Sequence, residues 1–181
     1  MGGGRAGLFW RAIPLRANDF EERRTNPGFQ VSKRGMPELP EVEFARQMVV
    51  RAGCIGKAVK MSVVHEDPIV FDCALKDSPT INDHFSKLDG RVLLDTGRRG
   101  KYFWLSFEGD LHLLVHFGMT GYLQVRGQSR SYYQSAPEKA GDPEQWPPRF
   151  AKLLMDFDGT AVAIGDARRL GRIRVVSENI K

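Results

Sequence analysis

A chain of 181 residues, 41% hydrophobic and 27% charged, has the size and balance of one globular domain with a sizeable core, and without an apolar run of 18 residues it offers no helical membrane span. Cys54 and Cys73 are too few for a disulfide framework or a four-cysteine zinc finger and are expected to be reduced intracellular thiols. The net charge of +5 is unevenly spread: residues 1–35 hold 7 Lys/Arg and 3 Asp/Glu, residues 36–181 hold 20 and 19, so attraction for a polyanion must come from local clusters of the body.

Residues 1–35, with Gly2-Gly3-Gly4 and scattered arginines but no sustained periodicity, read as an extension ahead of a domain at 36–181. A presequence, an over-extended gene start and a flexible tail all fit. The arginines suit a mitochondrial transit peptide, whereas Asp19, Glu21 and Glu22 oppose one.

Met36-Pro37-Glu38-Leu39-Pro40-Glu41-Val42-Glu43 has two compatible readings. Pro40 suits the first turn of a helix, and Glu41 and Glu43 suit its positive end. Val42, Ala45, Met48, Val49 and Ala52 then keep helical spacing until Gly53, which predicts a helix over about 40–52. The same octet also reads as a protein start. Were Met36 removed, Pro37 would carry a free secondary amine beside Glu38, a nucleophile next to a group that moves protons. Inside a chain that nitrogen is an amide and attacks nothing.

Beyond the helix the chain turns to strands. Lys57 to Val64 alternates, residues 80–88 suit a short helix, and Val92 to Asp95 precedes a basic turn with Arg98, Arg99 and Lys101. Lys101 to Phe107 and Leu111 to Phe117, joined by Glu108-Gly109-Asp110, predict one hairpin; Leu153 to Phe157 and Thr160 to Ile164, joined by Asp158-Gly159, predict another. Residues 126–149 form a long polar connection, and Arg168, Arg169, Arg172 and Arg174 form a second basic cluster. The expected fold is α+β and predominantly β: a two-sheet β-sandwich flanked by α-helices.

Four motifs occur in order: the octet at Met36, Gly97-Arg98-Arg99-Gly100-Lys101-Tyr102, His116-Phe117-Gly118-Met119-Thr120-Gly121, and Asp166-Ala167-Arg168-Arg169-Leu170-Gly171. From Met36 to about Val175 the chain resembles the N-terminal catalytic domain of the formamidopyrimidine-DNA glycosylase and endonuclease VIII-like family. The insertion with Glu144-Gln145-Trp146-Pro147 looks more like plant and fungal members than bacterial ones.

The resemblance implies a base-excision enzyme that extrudes an oxidised purine, removes it and cleaves at the abasic sugar. By motif, Pro37 would attack the anomeric carbon and form a Schiff base, Glu38 would transfer protons, and Lys101 would sit against a phosphate beside the lesion. Glu41 would support the flipped nucleotide. His116 and Arg169 would hold phosphates, while Met119, Arg168 and Leu170 would fill the gap left by the extruded base. Read without the resemblance, Lys101 is the exposed first residue of a strand, His116 a satisfied structural histidine, Met119 a gap-filler and Leu170 an edge residue.

Departures from the bacterial pattern are Leu170 at a usually aromatic wedge, Ala167 at a common proline, and Arg149 and Lys152 with no phosphate-binding histidine. The family's helix–two-turns–helix domain, often followed by a zinc finger, is absent from this chain, so neither bound zinc nor another cofactor is expected. The expected partner of the monomer is damaged double-stranded DNA, with no membrane. Localisation is expected in the nucleus, or in a mitochondrion or plastid if residues 1–35 are a targeting signal. Two other classes stay open: a non-catalytic damaged-DNA-binding protein, with Pro37 internal, and a β-sandwich interaction module.

Overall fold

The computed structural model describes residues 37–71, 80–131, 142 and 144–177, all within the compact unit Arg34–Lys181. The extension, Cys73 and part of the 126–149 connection lie outside these residues.

Two antiparallel four-stranded sheets face each other across an apolar core. One has the order β1-β6-β7-β5, from Lys60–Val63, Ala151–Phe157, Thr160–Asp166 and Gly121–Val125. The other has the order β2-β3-β4-β8, from Leu93–Arg99, Tyr102–Phe107, Leu111–His116 and Arg172–Val176. Alternation does what it should: Phe103, Leu105 and Phe107 of β3 and Leu113 and Val115 of β4 point inward, opposite Leu153, Met155 and Phe157 of β6. The result is the expected sandwich, and both predicted hairpins close at their predicted turns.

Helix α1, Leu39–Arg51, begins one residue before the predicted start and buries Val42, Ala45, Met48 and Val49. It packs against β2 and β3 of one sheet and β5 of the other, so it closes a mouth between the sheets. The short helix α2, Ile81–Ser86, is capped by Thr80, whose hydroxyl accepts from the Asp83 amide at 3.0 Å.

Two strands were not read in the sequence. The β8 strand alternates Arg172 and Arg174 with the inward Ile173 and Val175, a pattern masked by its charge. In β5 every residue is buried, Gln124 included, because the following chain folds back over its second face. The Arg130 guanidinium lies 4.3 Å from the Tyr122 ring centroid and its Nε donates to Gln124 at 3.1 Å. Ser131 occupies the outer edge of β5, exchanging hydrogen bonds with Leu123.

Candidate nucleic-acid interface and catalytic rim

One end of the sandwich collects the predicted residues. The paired positions Arg99, Tyr102, His116 and Arg172 form a row across the last rung of the β2-β3-β4-β8 sheet. Lys101 lies in the turn just beyond that row rather than in the strand. In the other sheet the matching rung is Gly121 against Asp166, and the loops carrying Met119 and Arg168–Leu170 leave from it.

The start of α1 runs toward the same end. Arg46 donates to the Thr96 hydroxyl at 2.8 Å, and one turn earlier Glu43 accepts from Arg98 Nε at 3.1 Å. Each step backward along the helix is therefore matched by two residues forward along β2, steps of similar length, about 5–7 Å. One more such step leads from Glu43–Arg98 to Pro40 and Gly100, so the start of α1, with Pro37 and Glu38 just ahead of it, lies at the end that carries the Lys101 turn. Arg98 also donates to the Gly100 carbonyl at 3.0 Å, which fixes the turn. Arg98 is thus a structural cation as much as a free charge, and the Glu43 carboxyl, gripped chiefly by Arg46, is held down to about 2 against burial, which alone would raise it.

Glu38 is exposed at the cap of α1, and its amide donates to the Glu41 carboxylate at 3.1 Å. Glu41 therefore has a local task, closing the first helical turn. Pro37 is buried.

His116 stacks on Tyr102, with ring centroids 4.7 Å apart, and its Nδ1 accepts from the Gly118 amide at 3.1 Å. That bond puts the neutral ring's proton on Nε2, making it a donor. Burial lowers the pKa, and the Lys101 and Arg172 charges press in the same direction. Such an imidazole can donate to a phosphate oxygen while neutral.

The loops carrying Met119 and Arg168–Leu170 are tied together by a residue the motif contained but the sequence reading gave no role. Asp166 is 3% exposed. Its Oδ1 accepts from the Thr120 hydroxyl at 2.7 Å and the Arg168 amide at 3.1 Å, and its Oδ2 from the Gly171 amide at 2.6 Å. One carboxylate thereby sets the spacing between Met119, 39% exposed, and Leu170, 42% exposed. Gly118, at φ +60, lets the loops approach so closely that a Cβ there would stand 2.5 Å from the Leu170 carbonyl oxygen.

Arg169, also at positive φ, sends its Nε and a terminal nitrogen to Asp67 at 2.8 and 3.0 Å, while Lys152 approaches the same carboxylate at 3.0 Å. Those bonds keep Asp67 ionised well below the usual range, against its burial. They also leave the outer edge of the half-exposed guanidinium facing away from Asp67. Asp67 and Lys152 were missed as partners because they lie 102 and 17 positions away in the chain, with no motif linking them. Among the described residues no group of three or more His, Cys, Asp or Glu is placed to hold a metal ion, and no helix is long and apolar enough to cross a membrane.

A family model described as the formamidopyrimidine-DNA glycosylase N-terminal domain matches residues 36–173. A formamidopyrimidine-DNA glycosylase of Arabidopsis thaliana is 30% identical over 143 residues, which cover 78% of this chain and 35% of that protein. One from Thermus thermophilus is 30% identical over 138 residues, 76% of this chain and 39% of its own length. Among solved structures, the Lactococcus lactis Fpg in complex with abasic-site DNA superimposes with a TM-score of 0.56 at 19% identity, covering 77% of this chain and 44% of that one. That likeness shows the fold. The chain spans less than half the length of these relatives.

Proposed function

The chain belongs to the formamidopyrimidine-DNA glycosylase family, as its N-terminal domain, and from that premise we propose that it supplies the reacting groups of a DNA glycosylase with abasic-site lyase activity. The observation that carries this is the α1–β2 ladder of Arg46–Thr96 and Glu43–Arg98, which brings the start of α1, the segment that follows Pro37 and Glu38, to the same end of the sandwich as the Lys101 turn.

With Met36 removed, the Pro37 nitrogen attacks the anomeric carbon of the damaged nucleotide. The base departs with the glycosidic electron pair and takes up the proton that the Pro37 amine sheds, and the sugar ring oxygen takes a proton from Glu38 as the ring opens. The product is an iminium on Pro37. That cation draws the electrons released when a proton leaves the neighbouring sugar carbon, and the 3′ phosphate is eliminated. The position of Pro37 ahead of α1 favours the reaction, since the helix dipole disfavours the protonated amine. Lys101, the Nε2–H of His116 and the outer edge of Arg169 supply phosphate contacts, and Met119, Arg168 and Leu170 fill the vacated stack. Damaged duplex DNA is the substrate of this reading, and nuclear repair its setting.

In a chain that keeps Met36, the Pro37 nitrogen is an amide and the same rim only binds broken DNA. Borohydride trapping on abasic-site DNA separates the two, using protein that begins at Pro37 and carries a relative's C-terminal half. A covalent adduct is expected, reduced but present for Pro37→Gly and abolished by N-terminal acetylation. No adduct with the free amine, or equal trapping of the acetylated protein, rejects the proposed nucleophile.

A further inference from the structure

Phe150 is held in an unusual way at the same end of the molecule. Its backbone has φ +66, a left-handed conformation that is an outlier for a bulky side chain. The β6–β7 pairing is irregular between Ala151 and Leu153, immediately after it, and such bulges re-aim side chains next to functional sites. Two backbone bonds fix the position: the Asp166 amide donates to the Phe150 carbonyl at 3.0 Å, and the Ala151 amide to the Pro148 carbonyl at 3.0 Å. The buried Tyr122 hydroxyl donates to the carbonyl of Arg149. Yet the ring itself is not buried. It is 45% exposed, with the Arg149 guanidinium 4.6 Å from its centroid.

A strained backbone that only exposed an aromatic ring to water would be a net loss. The location gives the ring a use. The Phe150 carbonyl is bonded to the residue whose carboxylate anchors both wedge loops, so Phe150, Met119 and Leu170 form one series of exposed apolar side chains around Asp166. Neither Met119 nor Leu170 has a π face. The other exposed aromatic among the described residues, Tyr102, is already stacked on His116.

We infer that Phe150, backed by Arg149, is a stacking site for an unpaired nucleobase of bound DNA, with Arg149 beside the adjoining phosphate; this rests on the reading of the rim as a DNA-binding surface. Stacking on an aromatic tolerates any base, because each has a π face, and a cation against the ring suits the charged backbone. The proposed occupant is the base left without a partner.

The test uses the full chain and fluorescence anisotropy with two duplexes of one sequence, one with a tetrahydrofuran abasic analogue and one fully paired. Phe150→Gly relieves the positive φ, so its melting temperature should equal or exceed that of the wild type. Its affinity for the abasic duplex should nonetheless fall about tenfold, with the paired duplex unaffected. Phe150→Trp should restore the preference. The proposal is overturned if Phe150→Gly binds both duplexes as the wild type does, or loses both equally, or if Phe150→Trp behaves as Phe150→Gly. Equal binding of the two duplexes by the wild type overturns it as well. The glycosylase reading stands or falls separately, on the borohydride adduct at Pro37.

Discussion

The two sides of the working rim are built on different principles. On the α1–β2 side, position comes from long-range ladders between a helix and a strand: Arg46 to Thr96, Glu43 to Arg98, Arg98 to Gly100. These bonds are partly exposed, and each grips a backbone or a long side chain several residues from the groups that would react. On the β5–β7 side, position comes from one buried carboxylate that takes three donors at once from two loops. The first arrangement tolerates small displacements, which on the proposed reading would suit a mobile sugar and an entering amine. The second fixes a spacing, which on the same reading would suit side chains that fill the place of an extruded base.

Removing the anchor on the rigid side should have the larger effect. Asp166→Ala strips the acceptor from the Thr120 hydroxyl and the Gly171 amide and leaves the Arg168 amide only the Thr120 hydroxyl oxygen at 3.2 Å, and buried donors left unpaired each cost roughly 1–3 kcal/mol. A loss of about 3 kcal/mol in urea unfolding is expected for the whole chain, and roughly half that for Asp166→Asn, which keeps one acceptor oxygen. A loss below about 1 kcal/mol for the alanine variant would mean that the loops are held by something other than this carboxylate.

Gly118→Ala perturbs the same spacing without touching a charge. Its Cβ would meet the Leu170 carbonyl oxygen at 2.5 Å, in a backbone conformation that side chains avoid. About 2 kcal/mol of stability should be lost, together with affinity for abasic-site DNA in a binding titration. If stability falls while that affinity is unchanged, the distance between Met119 and Leu170 does not matter for DNA.

Much of this rim was legible in the sequence because its parts sit beside turns and chain reversals that leave strong local marks. Asp158-Gly159 and Glu108-Gly109-Asp110 announced the hairpins, and the helix spacing after Pro40 announced α1. The β5 strand left no such mark, since Tyr122 and Gln124 are covered by the returning chain and alternation disappears when both faces are buried. Four ordered motifs pointed to the family, but they named candidate site residues and not those that hold them. Glu43, Asp67, Lys152 and the anchoring role of Asp166 emerge only when residues up to 102 positions apart are brought together. Phe150 carries no sequence signal at all, because an aromatic residue next to a strand is most simply read as core.

The smallest expected effect belongs to the tolerant side. The Glu43 carboxyl titrates at about 2 in the folded chain against an ordinary 4.5. A depressed folded value means that the ionised carboxylate favours the fold. Its contribution is complete above 4.5 and disappears as pH falls through the folded value near 2. The side chain is 36% exposed, so water screens the pairing and a contribution of about 1 kcal/mol is expected, well short of the full shift. Asp67 also loses its charge in strong acid, since Arg169 and Lys152 hold it low as well, so an acid limb in the wild type alone does not identify Glu43. The difference between wild type and Glu43→Gln does, because Asp67 is common to both. Urea midpoints measured at steps from pH 5 to pH 2 should show the wild type ahead by about 1 kcal/mol at the start, with the gap narrowing as acid is added. Curves that run parallel through that window would show that the α1–β2 ladder rests on Arg46 and Thr96, without help from the carboxylate charge.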